Sequence, residues 1–362
     1  MNSIPSHTLS QDSKIWNVCA IKYEEHIVSG HPNITAYESF EEDLLDQIIR
    51  QLSSNTNKNI IIYDVGCGSG RLHIRYGSKM LDTSNSGLCK NDVFRIECSR
   101  KIKDFLNHDP LLTAKIQSVG GIDISAQMLE IAKSKLVEFG LKDLLGEKLW
   151  FEKGSAFDIK PMSSDCLPIV VCLCNSIGVM QGHKGAELLF QAMRRAVERA
   201  SGIAIISAYD KKAIRKYALN NYESTMEVSG QPIWLKPNTY ASKQFKQIPH
   251  SYKLSDDNTP FISVDVYTQD EKLVKTNHKL YRNEELVNQT IASGVIRTYH
   301  NYVSHWYSYN QFEQWIDEHW IKSKSLHLRG SELDNNRAEP SQIAILDFSG
   351  KVDTNDIIIK QE

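Results

Sequence analysis

No stretch of this chain is apolar for long enough to cross a bilayer. The longest apolar run, Leu167 to Cys174, is broken by Pro168 and falls far short of the roughly 20 residues a helical span needs. Membrane insertion is excluded on that ground. A dominant charge of one sign is also missing. The 42 Lys and Arg residues against 44 Asp and Glu leave a formal charge of −2, so no global field draws the chain to nucleic acid or to an anionic membrane. The opening residues carry no apolar stretch of signal-peptide type, and the seven cysteines are an odd count. Free thiols in a reducing, cytoplasmic compartment are the expectation. Cys172 and Cys174 are close in sequence, but no second pair at metal-ligand spacing accompanies them, so no metal is expected. Internal repeats and low-complexity segments are absent as well.

What is present is an alternation of short apolar strands and amphipathic helices over 362 residues, long enough for two domains or for one with large insertions. Phe40, Leu44, Ile48 and Leu52 recur at helical spacing. Ile60 to Tyr63 then reads as a buried strand ended by glycines. Val119–Ile124, Leu149–Lys153, Pro168–Cys174 and Ile203–Ser207 read as four further strands. Between them run helices capped by Ser125 or marked by Leu189, Met193, Ala196, Val197 and Ala200. This order predicts a parallel α/β sheet covered on both faces. Gln342–Phe348 is expected to add a last strand.

Two stretches break the rhythm. Residues 78–117 form a polar block where a helix and turn would suffice, and are expected to be a surface insertion. Residues 211–308 read as β-rich: Ile262, Val264 and Val266 alternate with polar neighbours, and Gln269–Lys272 can turn the chain towards Leu273–Tyr281. Ile296–Trp306 reads as another strand. Ser308 and Gln311 then form a capping box before Phe312, Trp315 and Ile316. The domain reading is an arm at 1–35, a main domain at 36–210 and 309–350, and a lid at 211–308.

The densest chemical signal is Asp64-Val65-Gly66-Cys67-Gly68-Ser69-Gly70, directly after the first strand. Glycines at alternate positions allow backbone to approach a ligand closely at the carboxyl end of a strand. The third glycine of a dinucleotide fingerprint would fall on Arg71, and the lysine of a phosphate loop is missing, which weakens both nucleotide readings.

This segment resembles the first motif of class I S-adenosylmethionine-dependent methyltransferases. The resemblance covers residues 36–210 and, more weakly, 309–348, and it implies a Rossmann-like, mostly parallel seven-stranded sheet with helices on both faces. It also implies S-adenosylmethionine as cofactor, held by Asp64, Gly66, Cys67, Gly68 and Gly70. Asp123, closing Gly121-Ile122-Asp123, resembles the acid that takes both ribose hydroxyls, and a carboxylate can accept both bonds. Ile124 and Met128 follow it as further contacts. Phe157 and Asp158 match the segment that reads adenine, and Asn175 the position flanking the methionine moiety and the acceptor. The departure is spacing: Asp123 lies 53 residues beyond Gly70, against about 20 in such folds. The 78–117 block accounts for the excess.

For the acceptor, residues 209–320 hold 18 of the 32 aromatics, and collectively they would suit a planar or cationic small molecule. Methyl transfer is an in-line displacement that needs alignment and exclusion of water. A hydroxyl acceptor would also need a base, for which His183 and His305 are the candidates, with Asn175 beside them. The primary expectation is N- or O-methylation of a small molecule, with no nucleic-acid partner. An RNA-cap type of acceptor and a non-catalytic cofactor-binding protein acting through partners remain as alternatives.

Overall fold

The computed structural model describes residues 12–17, 20, 40–81, 108–211, 292–297, 303–329 and 341–353, and strand backbone at 245–246, 250–254, 260–264 and 267–268. The main sheet takes β1 (Ile60–Val65), β2 (Ile116–Asp123), β3 (Leu149–Lys153), β4 (Leu167–Cys172) and β5 (Ile203–Tyr209), joined late in the chain by β12 (Ser325–Arg329) and β13 (Ser341–Asp347). Its order is β12-β13-β5-β4-β1-β2-β3. The first five strands pair in parallel, and β13 enters antiparallel between β5 and β12.

Alternation along each strand sends side chains to opposite faces. Ile60, Ile62, Ile169 and Ile205 face one core, where they meet Leu44, Ile48 and Leu52 of α1 (Phe40–Asn55) and Leu72 and Ile74 of α2 (Arg71–Met80). Tyr63, Val170, Ala204 and Ile206 face the other, against Leu189, Phe190 and Met193 of α5 (Gly182–Glu198) and Phe312 and Trp315 of α6 (Tyr309–His319). Each such burial contributes about 1.5–3 kcal/mol, so the sheet is the stable frame on which its loops are mounted. A polar clamp joins α1 to α2: Arg75 reaches Asp46 at 2.6 Å and the Tyr76 hydroxyl donates to Asp46 at 2.9 Å.

The two interruptions look different in three dimensions. Residues 78–80 complete α2, while Ile116 and Gln117 open β2, so both ends of the 78–117 block belong to the main layers. Between them α3 (Pro110–Thr113), capped by the Asp109 carboxylate, places Leu112 in the core. Residues 82–107 lie outside the described residues. In the second interruption, β7 (His250–Leu254) pairs antiparallel with β8 (Pro260–Val264). The strand at 260–264 is thus joined to the segment before it, and the expected turn and return at 269–281 lie outside the described residues. The short β6 (Phe245–Lys246) and β9 (Tyr267–Thr268) also pair. The expected single strand at 296–306 is two: β10 (Val295–Arg297) and β11 (Val303–His305) run antiparallel to each other.

Helix α4 (Ala126–Glu138) starts as its sequence predicts, with Ser125 Oγ accepting the Met128 N–H. Helix α6 carries both halves of the Ser308–Gln311 capping box. Among the described residues, no helix is long and apolar enough to cross a membrane.

Candidate active site

In the sheet order β1 lies between β2 and β4, so the chain leaves β1 on one side for β2 and only later returns on the other with β4. A crevice opens beyond the carboxyl ends of strands at such a reversal, and open α/β sheets bind their ligands there. The glycine loop and the loop after β4 both end at this place.

Gly66, Gly68 and Gly70 have φ values of 74°, 50° and 80°. These left-handed angles cost a side-chain-bearing residue about 1–2 kcal/mol, which explains the alternate glycines. At Gly68 a Cβ would meet nothing within 4 Å, so the loop offers bare backbone to open space. The Gly68 N–H donates to Asp123 Oδ2 at 2.9 Å, and the Ser125 N–H donates to Oδ1 at 2.8 Å. Each carboxylate oxygen therefore keeps a lone pair for a further donor. Burial raises the Asp123 pKa against the pull of these N–H groups. Below it Gly121 is obligatory for packing, since a Cβ there would sit 2.6 Å from His73 and 2.7 Å from Cys67. Cys67 is buried, and desolvation pushes its thiol well up.

Asp64 is buried, and desolvation lifts it to about 7, with the neighbouring Asp123 charge adding to the rise and Arg71 opposing it. Glu42, from the first turn of α1, is also buried, 2.9 Å from Arg71 Nη2, and raised to about 7 chiefly by desolvation. Glu41, its neighbour, accepts the Cys174 N–H at 2.8 Å and the Cys174 thiol at 3.2 Å. The start of α1 thus inserts two carboxylates between the ends of β1 and β4. The sequence reading missed both, and it noted Arg71 only as a mismatch to a dinucleotide motif. Helical periodicity marks the apolar face of α1, not what its first turn touches.

The remaining candidates divide. Ile124 is half-buried and Met128 is buried. Phe157 is half-buried against the core of α5, and Asp158 is exposed after a turn closed by its N–H to the Ser155 carbonyl at 3.1 Å. Asn175 is buried and in left-handed conformation; its Oδ1 accepts the Tyr209 N–H at 3.0 Å and its Nδ2 donates to Ser304 Oγ at 3.1 Å. Both ends of its amide are engaged by the protein. His305 Nδ1 donates to the Gly178 carbonyl at 3.1 Å, and burial lowers its pKa. His183 is exposed at the start of α5, accepts from Gln311 Nε2 at 3.3 Å, and meets Tyr307 and Trp315 edge-on. Cys174 does not continue β4 as expected: it turns left-handed past the strand end at Cys172. Among the described residues, no His, Cys, Asp and Glu group has the arrangement to hold a metal.

Residues 12–17 form a helical segment that reaches from the loop after β2 to the loop after β4. Ser13 Oγ donates to the Ile124 carbonyl at 3.0 Å, and Asn17 Oδ1 accepts from Ser125 Oγ at 2.8 Å and from the Gln127 N–H at 3.2 Å. At the other end Gln181 donates to Asp12.

A seven-stranded sheet of this order, with its last strand antiparallel between the fifth and sixth and a glycine loop after the first, is the mostly parallel, Rossmann-like architecture that the resemblance implied. No family model matches the chain, and no curated protein matches it. Solved structures to which the chain is similar include an S-adenosylmethionine-dependent methyltransferase from Clostridium acetobutylicum, 10% identical with a TM-score of 0.44, the match covering 92% of this chain and 98% of that one. The CcbJ methyltransferase from Streptomyces caelestis is 10% identical with a TM-score of 0.46, over 93% and 98% of the two chains. The DhpI–SAH complex is 10% identical with a TM-score of 0.38, over 94% and 97%. The fold assignment rests on strand order and connections, independently of these likenesses.

Proposed function

We propose that this protein binds S-adenosylmethionine in the crevice between β1 and β4 and transfers its methyl group to a small-molecule acceptor. The observation that carries this reading is the bond from the Gly68 N–H to Asp123 Oδ2. It brings together, on one crevice, a bare glycine backbone and an acid 55 residues away in sequence, and it leaves both carboxylate oxygens able to accept a diol. The residues present fit the cofactor. Gly66, Gly68 and Gly70 would face its methionine and ribose portions, and Asp123 would take the ribose hydroxyls. Ile124, Met128 and Phe157 would border the adenine, and Asp158 would accept its amino group. Asp64 and Glu42, when ionised, would supply negative charge near the place of its cationic groups, beside the guanidinium of Arg71.

When bound, the cofactor supplies an electrophilic methyl group on a sulfonium, which needs no covalent intermediate on the protein. The protein's share is then alignment and exclusion of water. His305 is the base candidate for a hydroxyl acceptor, since burial keeps its imidazole neutral at pH 7 and so able to take a proton. An amine acceptor would need none. The small-molecule reading is supported by charge: residues 211–308 hold 13 Lys and Arg against 9 Asp and Glu, a surplus of 4, too few for a protein contacting 6–10 phosphates. The test is transfer of labelled methyl groups from S-adenosylmethionine to small amines and hydroxyl compounds, run beside capped and uncapped RNA across a salt series. Label in the small molecules, with no salt-dependent RNA binding, is the expected result. Tight, steeply salt-dependent RNA binding with label in the RNA would overturn the small-molecule assignment.

A further inference from the structure

Residues 209–211, at the end of β5, and residues 304–307, before α6, are bonded to each other and form a neck between the two stretches of the main sheet's chain. At its entry the Lys211 N–H donates to the Tyr307 carbonyl at 3.1 Å, and the Tyr307 N–H donates to the Tyr209 carbonyl at 3.0 Å. The Trp306 N–H donates to the Gly294 carbonyl at 2.6 Å, and Gln342 Nε2 donates to the Tyr307 carbonyl at 2.9 Å from the middle of the sheet. Trp306 is buried and packs on Tyr209 with ring centroids 4.8 Å apart.

Three side chains join this neck to the loop after β4, and Asn175 does so with both ends of its amide: Tyr209 on the entry side, Ser304 on the exit side. The others are His305 on the Gly178 carbonyl and the Tyr307 hydroxyl on the Ile177 carbonyl at 3.4 Å. The same loop borders the glycine motif, since a Cβ on Gly66 would lie 2.9 Å from Met180 and 3.2 Å from Ser176. Cys174 and Asn175 are consecutive left-handed residues without being glycine. Such backbone persists only where its surroundings over-determine it. Here Glu41 holds the Cys174 N–H from one side and the Asn175 amide holds the neck on the other.

We propose that Asn175 is a positioning residue, a clasp that ties the crevice-lining loop after β4 to Tyr209 and Ser304, so that occupancy of the crevice is transmitted to the neck at residues 209–211 and 304–307. The transmission half of this rests on the cofactor reading above. The clasp half does not, and the two are measured separately.

Hydrogen exchange at the Tyr209, Lys211, Trp306 and Tyr307 amides of the full chain reads both. In ligand-free protein, Asn175→Gly retains the left-handed backbone but removes the clasp, and Ser304→Ala removes one partner only. Each speeds exchange at these amides by about tenfold, the equivalent of one hydrogen bond. Unchanged exchange in both variants overturns the clasp. In the wild type, S-adenosylhomocysteine slows exchange at the same amides. Ser304→Ala binds that ligand within about threefold of wild type, as expected for a substitution outside its contacts, yet loses the slowing. A merely structural role would not remove a ligand-linked effect while leaving binding intact. Slowing that survives in Ser304→Ala, or a wild-type neck indifferent to bound ligand, overturns the transmission. If the wild type binds no S-adenosylhomocysteine, it is the cofactor reading that fails, and the ligand-free comparison still decides the clasp.

Discussion

Asp123 lies 53 residues beyond Gly70, yet its carboxylate already holds the Gly68 and Ser125 N–H groups. Asp123→Ala removes that link and the proposed diol acceptor together. S-adenosylhomocysteine affinity falls by roughly 1.5–3 kcal/mol, the scale of hydrogen bonds to a charged group, as measured by calorimetry; an unchanged affinity would move the ribose site elsewhere. Glu42 makes a different prediction. Its folded pKa of about 7 lies above the ordinary 4.5 because burial disfavours its charge. Between those two values the folded state binds the extra proton, so its contribution to stability is most favourable below pH 4.5 and is lost as pH rises through 7. His73, buried and neutral with a pKa lowered to about 3, acts in the opposite direction, adding stability as pH rises from 3 to 6.5. A comparison of variants isolates the Glu42 effect: Glu42→Gln gains stability relative to wild type between pH 5 and pH 8 in urea titrations, and a pH-independent difference contradicts the buried-carboxylate assignment. Asp123 was legible because a strand end, an acid and a helix cap coincide in sequence. Glu41, Glu42 and Arg71 were not, because their meeting depends on how α1 docks across the sheet.

At the scale of elements, the helices were legible where local chemistry decides them. Ser125 and Ser308 cap as their sequences predict, and Ser308→Ala costs about 1 kcal/mol of stability, read from the shift in denaturation midpoint; no shift would mean the cap is redundant with tertiary packing. The strands between residues 245 and 305 were less legible, since alternation identifies a strand but not its partner. Residues 260–264 pair backwards with 250–254, and the 296–306 run breaks into two strands that fold on each other. The segment at 12–17 gave no sequence signal beyond polarity, because Asp12, Ser13 and Asn17 bond to loops more than 100 residues away. Its position between the loops after β2 and β4 predicts a role in cofactor residence. Asn17→Ala speeds S-adenosylhomocysteine release by about tenfold, the loss of roughly one net hydrogen bond, in stopped-flow chase experiments; an unchanged rate would leave the segment a bystander.

For the whole molecule, the alternation of strands and helices predicted a parallel sheet covered on both faces, which the two cores on opposite sides of β1, β4 and β5 bear out. The edge strand β12 escaped notice because Ser325-Leu326-His327-Leu328-Arg329 is short and only partly buried, so it lacks the apolar run of a central strand. Its place comes from pairing with β13, a relation between distant segments that no local pattern carries. The central claim is that this fold, with its crevice between β1 and β4, is built to hold S-adenosylmethionine. The most direct measurement is a calorimetric titration of the full chain with S-adenosylhomocysteine, beside an identical titration with a nicotinamide dinucleotide. The account predicts saturating one-site heat with the first and none with the second, whereas saturation by the dinucleotide alone would contradict it.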